Sequence, residues 1–148
     1  VSWIKTTVVG IEPCIRRMRL YSRKLSDYSP VWEEMSYAIA EAEESWFATE
    51  GGGSWAPLSQ KYAEWKEKVN PGQPLLVFSN NLIESLTDPG EVVQGESPET
   101  AIVGTDVWYA ELHQTGTEKM PARPPLISDS EIRVICTNIL RSYLKYRV

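Results

Sequence analysis

Apolar residues recur at alternating spacings of three and four through Trp32, Met35, Ile39, Ala42 and Trp46, with Glu33, Glu34, Glu41, Glu43 and Glu44 at polar positions. That period predicts an amphipathic helix with a solvated acidic side. Ser29-Pro30 suits its start, since Ser can cap an orphan N–H and Pro loses no hydrogen bond in the first turn. Gly51, Gly52 and Gly53 stop it, as a joint free to swing or to bend sharply. Upstream, residues 2–9 alternate like a strand, and Gly10 ends it. From Ile11 the period turns helical through Ile15, Met18 and Leu25, decorated by Arg16, Arg17, Arg19, Arg23 and Lys24.

A third helix is predicted from Gln60 to about Val69, with Leu58, Tyr62, Trp65 and Val69 on one side, Trp65 read as core and Ser59 as one cap the sequence offers. A short helix carries Leu82, Ile83 and Leu86, and Asp88-Pro89-Gly90 reads as a turn. Residues 91–94 and 100–104 are β-branched runs separated by five residues, a hairpin with a somewhat long loop. A further short helix holds Trp108, Tyr109 and Leu112, closed by Gly116. Residues 117–126 contain three prolines and no periodicity, and read as an extended arm or loop. Ser128 and Glu131 form a capping-box signature for a last helix, striped by Ile132, Ile135, Cys136, Ile139, Leu140 and Tyr143. The expected fold is α+β, a small mostly antiparallel sheet covered by several helices with an extended proline-containing arm. Residues 1–148 form one domain, with Trp32, Met35, Ile39, Trp46, Ile132, Ile135 and Ile139 in its core.

Composition changes the picture in two ways. Fifteen Lys and Arg against twenty Asp and Glu give a net charge of −5, which opposes duplex binding driven by phosphate neutralisation. No apolar run approaches the roughly 20 residues that span a bilayer, so no membrane partner is expected, and the N-terminus lacks a signal-peptide pattern. Cys14 and Cys136 are far apart with no metal-type spacing, and read as two buried thiols; neither a metal nor a cofactor is expected.

Chemistry is sparse. His113 is the one histidine; beside Gln114 at a helix end and without a nucleophile motif, it reads as a structural hydrogen-bonding residue together with Gln114. Trp55 and Trp108 are open between core and subunit contact. The basic stretch from Arg16 to Lys24 reads as a solvated face, with an acidic partner as the alternative. Arg123, between Ala122 and Pro124, differs: flanking prolines reduce the entropy lost when an arm docks, so its guanidinium suits a neighbour's carboxylate or carbonyl. Lys119, Met120, Pro121, Arg123, Pro124 and Pro125 are therefore the candidate intersubunit or partner contact.

Three stretches in order, SWAPLSQKYAEWK (54–66), LLVFSNNLIESLT (75–87) and GTDVWYAELHQTGTEKMPARPPL (104–126), resemble the tailed-phage virion morphogenesis and tail-completion proteins, related to siphophage neck and tail-terminator proteins. The chain departs from that pattern at Ser79-Asn80-Asn81 and at Pro125. The resemblance implies a non-enzymatic virion component, assembled in the host cytoplasm and placed at the head-tail interface. There it would form a ring, six-fold by the resemblance, that terminates or completes the tail tube and docks the head connector or stopper protein. Its partners would be its own copies, the tail tube protein and that connector. Six such subunits would carry about −30, and genomic DNA would pass through the lumen without specific binding. Either the Glu33–Glu44 helix or the hairpin with Glu91, Glu96 and Glu99 would line it, and the basic first helix would face outward or towards another protein. The alternatives from other classes are a small hydrolase using His113 and a soluble monomeric adaptor.

Overall fold

The computed structural model describes residues 11–146; the strand expected over residues 2–9 lies outside them. Six helices and one hairpin follow in the order α1 Ile11–Leu25, α2 Ser29–Ala48, α3 Gln60–Val69, α4 Asn81–Thr87, β1 Val93–Ser97, β2 Thr100–Val103, α5 Ala110–Thr115 and α6 Asp129–Tyr146. The two strands are antiparallel, so the expected α+β class is observed.

α2 is the organising element, because α4, α6 and β1 all pack on it. Its buried residues include Val31, Met35, Ile39, Glu43 and Phe47. That stripe steps by four, one position round from the Trp32-Met35-Ile39-Ala42-Trp46 stripe read from the sequence. Trp32 and Trp46 therefore lie half-buried at its edges. Leu82 and Leu86 of α4, Val92, Val93, Val77 and Trp55 close the core around Ile39 and Phe47. Pro30 sits in the first turn of α2, but Asp27 rather than Ser29 supplies the side-chain oxygen, its Oδ1 accepting the Ser29 N–H at 2.9 Å.

The hairpin is tighter than its composition suggests. Pairing runs from Val93 with Val103 to Ser97 with Thr100, and a bulge between Gly95 and Ser97 takes up the extra residue. A Cβ at Gly95 would lie 2.8 Å from Cδ1 of Trp32, so glycine lets the indole rest on the strand. The Tyr28 N–H donates to the Pro98 carbonyl at 2.6 Å, tying the start of α2 to the hairpin turn.

The glycine run after α2 makes the sharp bend. Glu50, Gly51, Gly52 and Gly53 all have φ between 50 and 79°, and their amides and carbonyls close a ladder that includes Gly51 N–H to Trp46 O at 2.9 Å and Gly53 N–H to Thr49 O at 2.8 Å. Gly51 is required, since a Cβ there would meet the Trp55 indole at 2.3 Å.

Three expectations about burial are corrected. α3 turns its Tyr62, Trp65 and Val69 side outward, at 45%, 46% and 55% exposure, because no other helix or strand among the described residues packs closely on it. α6 starts as its capping box predicts, with Ser128 Oγ accepting the Glu131 N–H at 3.3 Å, but none of its residues is fully buried. Ile132, Ile135 and Cys136 reach the core edge and Ile139 is half-exposed, so this helix covers the core without entering it. Cys14 is exposed and Cys136 half-buried, in place of two buried thiols. No helix among the described residues is long and apolar enough to cross a membrane.

Candidate functional site

The arm begins at Gly116, whose φ is 76° and where a Cβ would lie 2.7 Å from the Ala122 amide nitrogen, so only glycine permits the fold-back. Thr117 and Met120 pair through their amides and carbonyls at 2.8 and 3.2 Å, forming a small loop with Glu118 and Lys119 at its tip. Lys119 and Pro121 are exposed and Met120 is half-buried.

From Arg123 onward the chain is stitched into the body. The Arg123 N–H donates to the His113 carbonyl at 2.8 Å, while its guanidinium forks onto two carbonyls, Nε to Ala56 and Nη2 to Pro57 at 2.8 Å. Only 4% of Arg123 is exposed, so these charge-assisted bonds lie in a low-dielectric setting where they hold strongly. The Pro124 carbonyl accepts from two indoles, Trp46 Nε1 at 2.9 Å and Trp55 Nε1 at 3.0 Å. Pro125 is among the fully buried side chains, and the Leu126 N–H reaches Gln114 Oε1 at 3.4 Å. Ile127 completes the series, its N–H donating to Glu43 Oε1 at 3.1 Å.

Of the residues assigned from sequence to a contact, the structure thus holds Arg123 and Pro125 inside the subunit, Pro124 half inside, and leaves Lys119 and Pro121 on the surface. Gln114 makes a structural hydrogen bond through its side chain. His113 makes one through its backbone carbonyl, and its Nδ1 is buried with no partner. Burial lowers the His113 pKa, and the nearby Arg123 charge lowers it further.

Beside the arm lies a groove of about 700 Å³ walled by Tyr62, Phe78, Leu82, Tyr109 and Met120, with Lys66, His113, Lys119 and Arg123 among its polar members. Lys66 is 6% exposed, and its Nζ donates to the Pro74 carbonyl. Burial lowers its pKa, while Glu50 and Glu67 act the other way. Trp65 stacks on Phe78 at 5.7 Å with an interplanar angle of 10°, forming an exposed aromatic lip.

Glu43 is the residue that sequence reasoning missed. Grouped with Glu41 and Glu44 as a solvated face, it is instead fully buried. Burial raises its pKa to about 7, opposed by the Ile127 hydrogen bond and reinforced by Glu131. Its signal is positional: Met35, Ile39, Glu43 and Phe47 step by four along one stripe, and a carboxylate in that row must face inward. No group of His, Cys, Asp and Glu among the described residues is arranged to hold a metal ion.

The polar groups of this region are therefore spent on fixing loop backbone, the arrangement of a scaffold that presents a rigid surface. The sequence profile of the phage virion morphogenesis family matches residues 12–145. The chain belongs to that family, and its role lies in assembly of the phage virion. No curated protein and no solved structure matches it.

Proposed function

We propose that this protein is a non-enzymatic component of the head-tail interface, forming a ring of identical subunits that terminates or completes the tail tube and docks the head connector. The family match over residues 12–145 carries this reading. The geometry of the arm supports it. Arg123, Pro124 and Pro125 anchor the base, and the Thr117-Met120 pairing closes the tip that carries Lys119, so the loop is shaped before any partner arrives. Docking then loses little conformational entropy, which favours an assembly built from many weak repeated contacts. A closed ring needs a heterologous interface, and a protruding tip beside an aromatic groove provides two different surfaces for one.

His113 offers little to a hydrolytic alternative. A general base needs an orienting partner, and its Nδ1 is buried without one. The net charge of −5 per subunit favours a conduit that repels phosphate over a clamp that grips it.

Co-sedimentation with purified tail tubes tests the reading. The chain should travel with tubes, bound at one end and in a ring-sized stoichiometry. A chain that stays monomeric and binds neither tube nor connector contradicts it.

A further inference from the structure

Among the described residues, α1 stands apart: it packs on no other helix or strand there beyond a marginal touch, and Met18 is 66% exposed. Residues 11–25 hold five Lys or Arg and one Glu, net +4, whereas residues 26–148 hold nine against nineteen acids, net −10. The positive charge of an acidic protein is thus dense on a helix that the other described elements leave uncovered.

The acidic counterpart is the outer face of α2. Glu33, Glu34, Glu41 and Glu44 are all exposed on the side away from the core, with Tyr37 between them at 61% exposure. The spacings match. Arg16, Arg19 and Arg23 step by three and then four residues along one face of α1, spanning about 10.5 Å. Read backwards along α2, Glu44, Glu41 and Tyr37 step by three and then four as well, with Glu34 one turn further on.

We infer that α1 of one copy docks antiparallel on the outer face of α2 of a second copy, setting Arg16 against Glu44, Arg19 against Glu41 and Arg23 over the Tyr37 ring beside Glu34. Guanidinium groups suit both carboxylate and aromatic partners. α1 and the outer face of α2 are different surfaces, so the contact is heterologous and propagates from copy to copy until it closes. It also covers the acidic face of α2, leaving the hairpin with Glu91 and Glu99 as the acidic candidate for the lumen. This inference rests on the reading that the protein assembles from identical subunits.

Paired charge reversal tests it by sedimentation of the full chain at low salt. R16E/R19E/R23E and E34K/E41K/E44K should each weaken self-association by about tenfold or more, since each sets like charges together. An equimolar mixture of the two should restore it. Reversed α1 then meets reversed α2, and native α1 meets native α2, in alternating copies. Oligomers unaffected by either reversal overturn the α1 contact while leaving the ring reading standing. A mixture that stays dissociated, with both variants folded by circular dichroism, also overturns it. A wild-type chain that is monomeric alone and on tail tubes overturns both readings. If a reversed variant loses its helical signal, R16Q/R19Q/R23Q replaces it, and undiminished association of that chain overturns the contact.

Discussion

Glu43 makes the fold sensitive to pH in a direction opposite to that of most carboxylates. Its pKa is raised from 4.5 to about 7, with burial as the main cause. The folded chain therefore holds a proton there that the unfolded chain has released, so stability conferred by this group is full below about 4.5 and is lost as pH rises through 7. That displacement corresponds to about 3 kcal/mol between the two limits. Glu43→Gln removes the charge and keeps an oxygen for the Ile127 N–H, which lies 3.1 Å from Oε1 in the native chain. Urea unfolding followed by tryptophan fluorescence, at several pH values between about 5 and 8, reads the effect. Across that range Glu43→Gln should lose about 2.5 kcal/mol less stability than wild type, whatever the other groups contribute to both curves, the lowered His113 among them. The slope is the diagnostic quantity, because the new amide N–H₂ also needs an acceptor and can shift the whole curve. Parallel curves for the two proteins would overturn this assignment, and so would a wild-type curve that gains on that of Glu43→Gln as pH rises.

Substitutions at four other positions probe the frame of the arm. Arg123→Ala should cost about 2 to 4 kcal/mol in urea unfolding, because two charge-assisted bonds to carbonyls are lost, and Arg123→Lys should recover less than half of this since an ammonium cannot fork. Trp46→Phe and Trp55→Phe should each cost about 1 kcal/mol through the lost bond to the Pro124 carbonyl, and the double variant more than their sum, because only then is that carbonyl left without a donor. Gly51→Ala should cost about 2 kcal/mol or more by thermal or urea unfolding, since φ is 69° and the new Cβ strikes the Trp55 indole.

Local chemistry was the most legible part of this fold. The third helix from Gln60, the Ser128-Glu131 box and the glycine stop after α2 are written in adjacent residues, and the structure places them as read. Faces were harder. A three-four alternation through Trp32 and Trp46 and a four-residue step through Val31 and Phe47 differ by a small rotation of one helix, and only the packed partners choose between them. Tyr62, Trp65 and Val69 form a sound apolar face, but periodicity does not say whether anything covers it, and here no helix or strand does. Least legible were the long-range polar contacts. Glu43 meets Ile127, Arg123 meets Ala56 and Pro57, and two tryptophans meet Pro124, all across 66 to 84 residues of sequence. Nothing in the neighbourhood of either partner announces the other, so an arm that reads as free is held at its base by its own subunit.

On the proposed function, this member of a virion morphogenesis family sits as a ring at the head-proximal end of the tail. A cryo-electron-microscopy map of the intact neck tests it most directly. The map should show a closed ring of this chain between tail tube and head connector, with the 117–122 tip at a contact and an acidic lumen. A neck whose density has no place for the chain, or one that holds it as an isolated subunit, would contradict it.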